Sequence, residues 1–444
     1  MTSLGQLAVD KAIELGMSEA EAFIHQVKNI RVEFASEIHN LKTTESLGLG
    51  LRVANGKKTA MHSTSILTKE EVIKAVKQAV KIAKVTPEDP HWNHFNKIFA
   101  KTKIKGNYDK ELNKVSYDEI VDKITTSINA VKDYNQNANL TRGSLDIIWS
   151  TISVVNNYQE MMEQKNTFVS TNMFVKVMEG GESTGSEHKE ARAWKDIQFE
   201  QIAEEATKKA IKFQKAKSLK SQKMPVIFKN ELFPSFLRLM IGSAINADSV
   251  QKGRSPLANK IDKETATQNV TLIDDGTLAD GFGTKSFDAE GYPTQKLPII
   301  VDGILRNFIY DSYTALKENK ESTGNAQRRG YASRPSPGLN NLILEPGTAS
   351  LEEMVQETKK GLFIESTIGE WLSKPTSGEL NATVTHGLLI EDGECTEPVK
   401  GVIIAGNFWE LLKNGFEIIG KDLRNSGRIY SPSVKLAELT IAGK

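Results

Sequence analysis

The chain has 444 residues, long for a single core, with 57 Lys and Arg against 56 Asp and Glu, a formal net charge of +1. That balance lacks the basic excess that drives binding to a phosphate backbone, so nucleic acid is not the expected partner. One cysteine, Cys395, forbids an intrachain disulfide and fits a reducing compartment, while no leader-like start and no apolar run near the roughly 20 residues of a bilayer span is visible. The expectation is a cytoplasmic protein with no membrane segment.

Leu4, Leu7, Ala8, Lys11, Ala12 and Leu15 recur at helical spacing, with Gly16 placed to end the helix. Apolar runs at 21–27 and 30–35, separated by Lys28-Asn29, read as a tight hairpin. Runs at 47–53 and 57–63 flank Asn55-Gly56, the strongest short hairpin signal, because a type I′ turn needs positive φ twice. Thr68-x-x-Glu71 and Ser116-x-x-Glu119 are capping signals, each followed by an amphipathic stretch: Val72, Ala75, Val76, Ala79, Val80, Ala83, then Ile120, Val121, Ile124, Ile128, Val131. Strands are expected at 145–155 and 167–178, then a polar turn at 180–185 and a helix at 197–216. Segment 215–223, rich in Lys and Ser, is the expected linker.

Beyond it, 225–228 reads as a strand and 231–245 as a helix with Pro234 in its first turn. Short strands follow at 270–273, 297–300, 308–310, 342–344, 361–364, 382–389 and 402–405, with short helices at 355–360 and 409–412. The expected fold is α+β in two domains: residues 1–217, helices with antiparallel hairpins, and residues 218–444, rich in strands.

No motif carries chemistry unaided. Gly181-Glu182-Ser183-Thr184-Gly185 matches a nucleophile elbow in letters, but the charged residues after it suit a hairpin better than a buried helix. The loop 280–286 resembles a phosphate loop yet has Thr284 where glycine must precede Lys285-Ser286, with Asp274, Asp275 and Asp280 nearby. None of the seven histidines is followed by glutamate, and His91-x-x-His94 lacks a third ligand. The Asp-Gly pairs at 275–276, 302–303 and 392–393 read as hairpin turns.

Longer wording is more specific. The segments VTLIDDGTLADGFGT (270–284), DAEGYPTQ (288–295), IIVDGILRNF (299–308), STGNAQRRGYA (322–332) and PVKGVIIAGN (398–407) resemble the TldD/PmbA peptidase family, formerly called modulators of DNA gyrase. The resemblance implies a metallopeptidase in which TldD-like members hold zinc through HExxxH on a helix and a late cysteine. Counting back without gaps from Gly253 puts Arg238, Leu239 and Ser243 at the HExxxH positions, and 422–431 contains no cysteine. The PmbA (TldE) branch is therefore the closer match. It implies no metal or cofactor bound by this chain, zinc in a TldD-like catalytic subunit, and unfolded or unstructured peptide as substrate. Asn325, Arg328, Arg329 and Tyr331 are the expected substrate-lining residues. A homodimer, a self-sufficient peptidase with a divergent site, and a regulatory protein-binding subunit are the other readings.

Overall fold

The computed structural model describes residues 2–178 and 181–444; Gly180, the first residue of the expected polar turn, lies outside them. The fold is α+β. Six strands, β1 (Glu19–Phe34), β2 (Ile38–Asn55), β3 (Lys58–Thr64), β4 (Ala138–Asn156), β5 (Gln159–Val177) and β6 (Ser183–Ala191), form one sheet in the order β3-β2-β1-β4-β5-β6, antiparallel throughout.

Four helices cover one face of this sheet. They are α1 (Thr2–Glu14), α2 (Lys69–Val85), α3 (Tyr117–Tyr134) and α4 (Phe199–Lys212). Because side chains alternate along a strand, the even positions of β1 all point to the helices. Ala22 and Ile24 pack with Ala8, Val9, Val72 and Val76 of α1 and α2. Further along, Ile30 and Val32 join Leu145 and Ile147 against Ile120, Ile124, Ala203 and Ala206 of α3 and α4. Thr68 and Ser116 cap α2 and α3 as their sequences predict, each side chain accepting from the backbone N–H three residues on.

The expected hairpin at Lys28-Asn29 does not form: β1 runs unbroken through it. Neither residue takes positive φ. The polar pair has partners on the flat of the sheet instead, with Lys28 Nζ 5.3 Å above the Trp149 ring and Asn29 Nδ2 donating to Asp146 at 3.1 Å. The period-two alternation of 21–34 outweighs a dipeptide without glycine. Asn55-Gly56 does turn the chain, with Gly56 at φ +57°.

In the C-terminal half β7 (Gln222–Phe228) pairs with Lys360–Ile368 on one side and Val434–Ala442 on the other. Val434–Ala442 continues to Val402–Asn407, then to Glu379–Glu391, which returns to Lys360–Ile368. These five strands close into a barrel, which leaves no open edge within the ring. Glu394–Val399 adds to it as an outer strand. A second sheet is built from short strands between 272 and 431, and helix α5 (Phe233–Ala244) packs into the shared core through Phe233, Phe236, Leu237, Met240 and Ile241.

Three expectations change here. Asp302-Gly303 and Asp392-Gly393 are hairpin turns with both residues at positive φ, but Asp275-Gly276 is not one. Asp275 Oδ1 instead caps Thr277, and the strand partner returns only at Lys296. The strand expected at 308–310 is reduced to a single bridge between Ile309 and Asn246. The helix expected at 355–360 is Leu351–Gln356, because the Ser350–Glu353 capping box starts it earlier and Lys360 already belongs to the barrel.

Gly185 of β6 has no room for a side chain, since a β-carbon there would strike the Ala206 carbonyl and the Ala210 N–H of α4. Backbone on both sides cannot yield as a side-chain tip can. Gly185→Ala is expected to cost roughly 2–3 kcal/mol by overpacking, read as a lower denaturant midpoint at an unchanged m-value.

Candidate functional site

Helix α5 divides into two faces. Its buried stripe enters the core, while Arg238 and Ser243 are exposed and Leu239 is half-buried on the other side. A guanidinium, an isobutyl group and an aliphatic hydroxyl do not make a zinc set, so this face does not fit the metal that the resemblance implies. Among the described residues no three His, Cys, Asp or Glu side chains gather in a way that could hold a metal ion. Cys395 lies on the outer strand, where partial desolvation of the sulfur raises its pKa. Ser183 opens β6 opposite Val177 and sits on no elbow.

The opposite face of the long sheet meets the C-terminal half through buried charge. Arg52 Nε donates to Glu21 Oε1 at 2.9 Å, and its Nη2 donates to Glu21 Oε2 at 2.7 Å and to Glu290 Oε1 at 2.8 Å. Arg328 Nη2 donates to Glu21 Oε1 as well. Glu290 Oε2 takes the Ser312 N–H at 2.9 Å. Burial alone would raise the Glu21 carboxyl, but the two guanidiniums outweigh it and hold it below the ordinary range.

Of the expected substrate-lining residues, Asn325 is fully buried, donating to Asp274 Oδ2 at 2.6 Å and the Gly338 carbonyl at 3.0 Å. Tyr331 lies over β2 so closely that neither Gly48 nor Gly50 could carry a β-carbon. Arg329 is exposed. Arg328 lines a cavity, with its guanidinium 4.6 Å above the Phe23 ring.

That cavity, about 380 Å³, lies between the sheet and three C-terminal segments. Its sheet wall is one face of three paired strands: Phe23, His25 and Val27, then Ile148, Ser150 and Ile152, then Gln164, Asn166, Phe168 and Ser170. Gly283–Lys285, Ala326–Arg328 and Arg428 close the other side. Arg192, at the end of β6, bonds five backbone carbonyls, among them Gly281 at 3.0 Å and Phe282 at 2.6 Å, and stacks 4.2 Å from Phe168. Arg428 bonds Gln327 Oε1 at 2.6 Å, and among the described residues Lys285 Nζ reaches only the Ala326 carbonyl at 3.4 Å.

Sequence reasoning found Arg328 but missed Arg192, Lys285 and Arg428, and it missed Glu21 and Arg52. A charged residue at a core position of an alternating strand was the available signal for the last two. The loop 280–286 was read through its aspartates, but Asp275 caps Thr277 and Asp274 faces Asn325 and the Asn340 N–H.

Comparison with known proteins places this geometry. Three family models match: PmbA/TldA metallopeptidase domain 1 over residues 20–83, the central domain over 94–213, and the C-terminal domain over 221–443. The chain belongs to the PmbA/TldD family. It is 26% identical to the metalloprotease PmbA of Escherichia coli over 460 residues, covering 98% of this chain and 96% of the relative. A TldD homolog of Buchnera aphidicola, also described as a metalloprotease, is 30% identical over 262 residues, but only 56% of this chain and 54% of that protein are matched. TldE of Thermococcus kodakarensis shares the fold, with a TM-score of 0.91 at 23% identity over 99% of this chain and 100% of that one. The first two family regions share one sheet here, since β1 pairs with β4 along nearly its whole length.

Glu21 supplies a direct test of the buried network. Glu21→Ala strips Arg328 of its one carboxylate and leaves Arg52 with Glu290 alone, so a loss of about 3–5 kcal/mol is expected in chemical denaturation. A second cluster, in which Lys209, Lys229 and Arg424 surround Glu231, predicts acid sensitivity. Burial raises the Glu231 carboxyl, but those three cations more than offset it and hold it down at about 2. Its stabilisation is therefore present above about pH 4.5 and fades as pH falls towards 2. Glu231→Gln should lower the melting temperature at pH 7, with the difference from the parent chain shrinking by pH 3.

Proposed function

We propose that this chain is the partner subunit of a PmbA/TldD-type metallopeptidase, completing a substrate chamber around a zinc ion held by a TldD-like chain. The observation that carries this reading is the outer face of α5, where Arg238, Leu239 and Ser243 stand at the HExxxH positions and cannot ligate a metal. Zinc in such a peptidase activates a water and polarises the scissile carbonyl, and that chemistry falls to the partner. The end-to-end match to PmbA, against a match of about half to the TldD homolog, supports the assignment.

An exposed apolar patch beside α5 supplies a surface for the partner. Ile368, Trp371 and Leu372 are 52%, 63% and 66% exposed, and they lie together where the barrel meets α5, as a contiguous apolar patch does at an interaction surface. Lys217 bridges the end of the outer strand at Val399, but among the described residues the outer edge at 394–397 has no main-chain partner, which suits a short extended polypeptide bound through backbone hydrogen bonds regardless of sequence. No helix among the described residues is long and apolar enough to cross a membrane.

Co-expression with a TldD-like chain from the same organism tests the proposal. The two chains are expected to co-purify, and hydrolysis of an unfolded protein such as reduced casein is expected only when both are present. Trp371→Glu combined with Leu372→Glu should abolish co-purification while leaving the melting temperature within a few degrees. Chelator-sensitive hydrolysis by this chain alone would contradict the reading and favour a self-sufficient peptidase.

A further inference from the structure

Buried cations in proteins are ordinarily matched by carboxylates, because an unpaired charge in a low-dielectric site costs several kcal/mol. The cavity facing the long sheet departs from that pattern. Its lining includes Arg192, Lys285, Arg328 and Arg428, and no Asp or Glu. Among the described residues Arg192, Lys285 and Arg428 have no carboxylate partner within ion-pair distance, and only Arg328 has one, Glu21. Arg328 is 1% exposed in its side chain, yet its Nε and Nη1 have no hydrogen-bond acceptor. Two donors of a buried guanidinium are therefore unused at the wall of a cavity large enough for a ligand.

The carboxylates nearby are committed elsewhere. Glu21 is shared between Arg52 and Arg328, and Glu290 binds Arg52 and the Ser312 N–H. Asp288 accepts the N–H groups of Glu290, Tyr292 and Ala326, and Asp274 accepts from Asn325 and Asn340. Neither aspartate lines the cavity. The remaining wall joins an aromatic and apolar patch, Phe23, Phe168, Phe282, Ile148 and Ile152, to neutral polar side chains such as Gln164 and Asn166.

We propose that this cavity is an oxyanion-binding site, in which Arg328 and Arg428 with Lys285 grip a carboxylate or phosphate group while the aromatic wall receives an apolar neighbour. Burial, and for Lys285 also Arg428 beside it, already pushes the Lys285 ammonium down to about 8. Burial likewise lowers Arg328 and Arg428, so an anion among them relieves a standing electrostatic cost. Arg192 adds charge, but its donors are consumed by carbonyls, so it sets the field and the position of the 281–284 loop. A peptide's terminal carboxylate next to an apolar side chain satisfies both walls; that choice of occupant rests on the proposed function, whereas the oxyanion site itself does not.

Isothermal titration calorimetry on the full chain, without any partner, separates the cases. The probes are N-acetyl-Ala-Phe with a free carboxylate, its C-terminal amide, and inorganic phosphate. The acid is expected to bind at least tenfold more tightly than the amide, and added salt should weaken it. Arg428→Met should weaken the acid at least tenfold, and Lys285→Met serves as the second variant if the first does not fold. Phosphate or the acid should raise the melting temperature of the parent chain and not of the variant. Binding of phosphate but not of the acid confirms the oxyanion site and overturns the peptide as its occupant. Equal binding of acid and amide, or no binding by the acid and phosphate, overturns the proposal. Because no TldD-like chain is present, these outcomes are independent of whether the two subunits associate.

Discussion

A glutamate at position 21 sits at zero exposure near the start of β1, an inner strand of the N-terminal sheet, and much of the molecule is arranged around that fact. An isolated carboxylate there would cost many kcal/mol or take up a proton. It stays charged because Arg52 reaches it from the neighbouring strand and Arg328 from a C-terminal loop some 300 residues later. Arg52 then extends the chain of charges to Glu290. Each member satisfies another, so the sheet and the C-terminal loops are held in one register that a looser apolar contact would leave open to sliding. Tyr331 on Gly48 and Gly50 follows directly, since the loop carrying Arg328 must approach β2 closely.

The same docking explains why a cavity exists. Strands β1, β4 and β5 present a flat row of side chains, and the loops pinned by the network bridge over it instead of packing into it. Of the basic side chains on the loop side, Arg328 has a carboxylate, Glu21, and Lys285 and Arg428 have none among the described residues. Arg192 is bonded only to carbonyls, and Arg428 to a glutamine and a carbonyl. Leu339 links this wall to α5: its carbonyl accepts from Arg428 and Gln327, while its side chain lies against Gly242 on the helix. The cavity and the face with Arg238 and Ser243 are thus two sides of one short loop.

Much of the fold could be read before the structure. The two capped helices, the Asn55-Gly56 turn, the Pro234 helix and the α+β class all rest on local chemistry, which short sequence windows contain. The failures share a cause. Lys28-Asn29 looked like a turn because its neighbours across the sheet, Trp149 and Asp146, are far away in sequence. Asp275-Gly276 looked like a hairpin because the loop that follows it is held by Thr294 and Asn340, which no local pattern announces. The site was legible only through the family wording around 322–332, which led to Arg328 and Asn325. Arg192 and Arg428 carry no sequence signal of their own; their meaning comes from convergence on one cavity.

The proposed role turns on where zinc would reside in a pair formed with a TldD-like chain. Metal analysis of this chain purified alone, and of its complex with a TldD-like chain, addresses that most directly. The account predicts no stoichiometric zinc in the isolated chain and one zinc per pair in the complex, lost when the histidines of the partner's HExxxH helix are replaced. One zinc per molecule in the isolated chain, or zinc retained by the complex after those replacements, would contradict it.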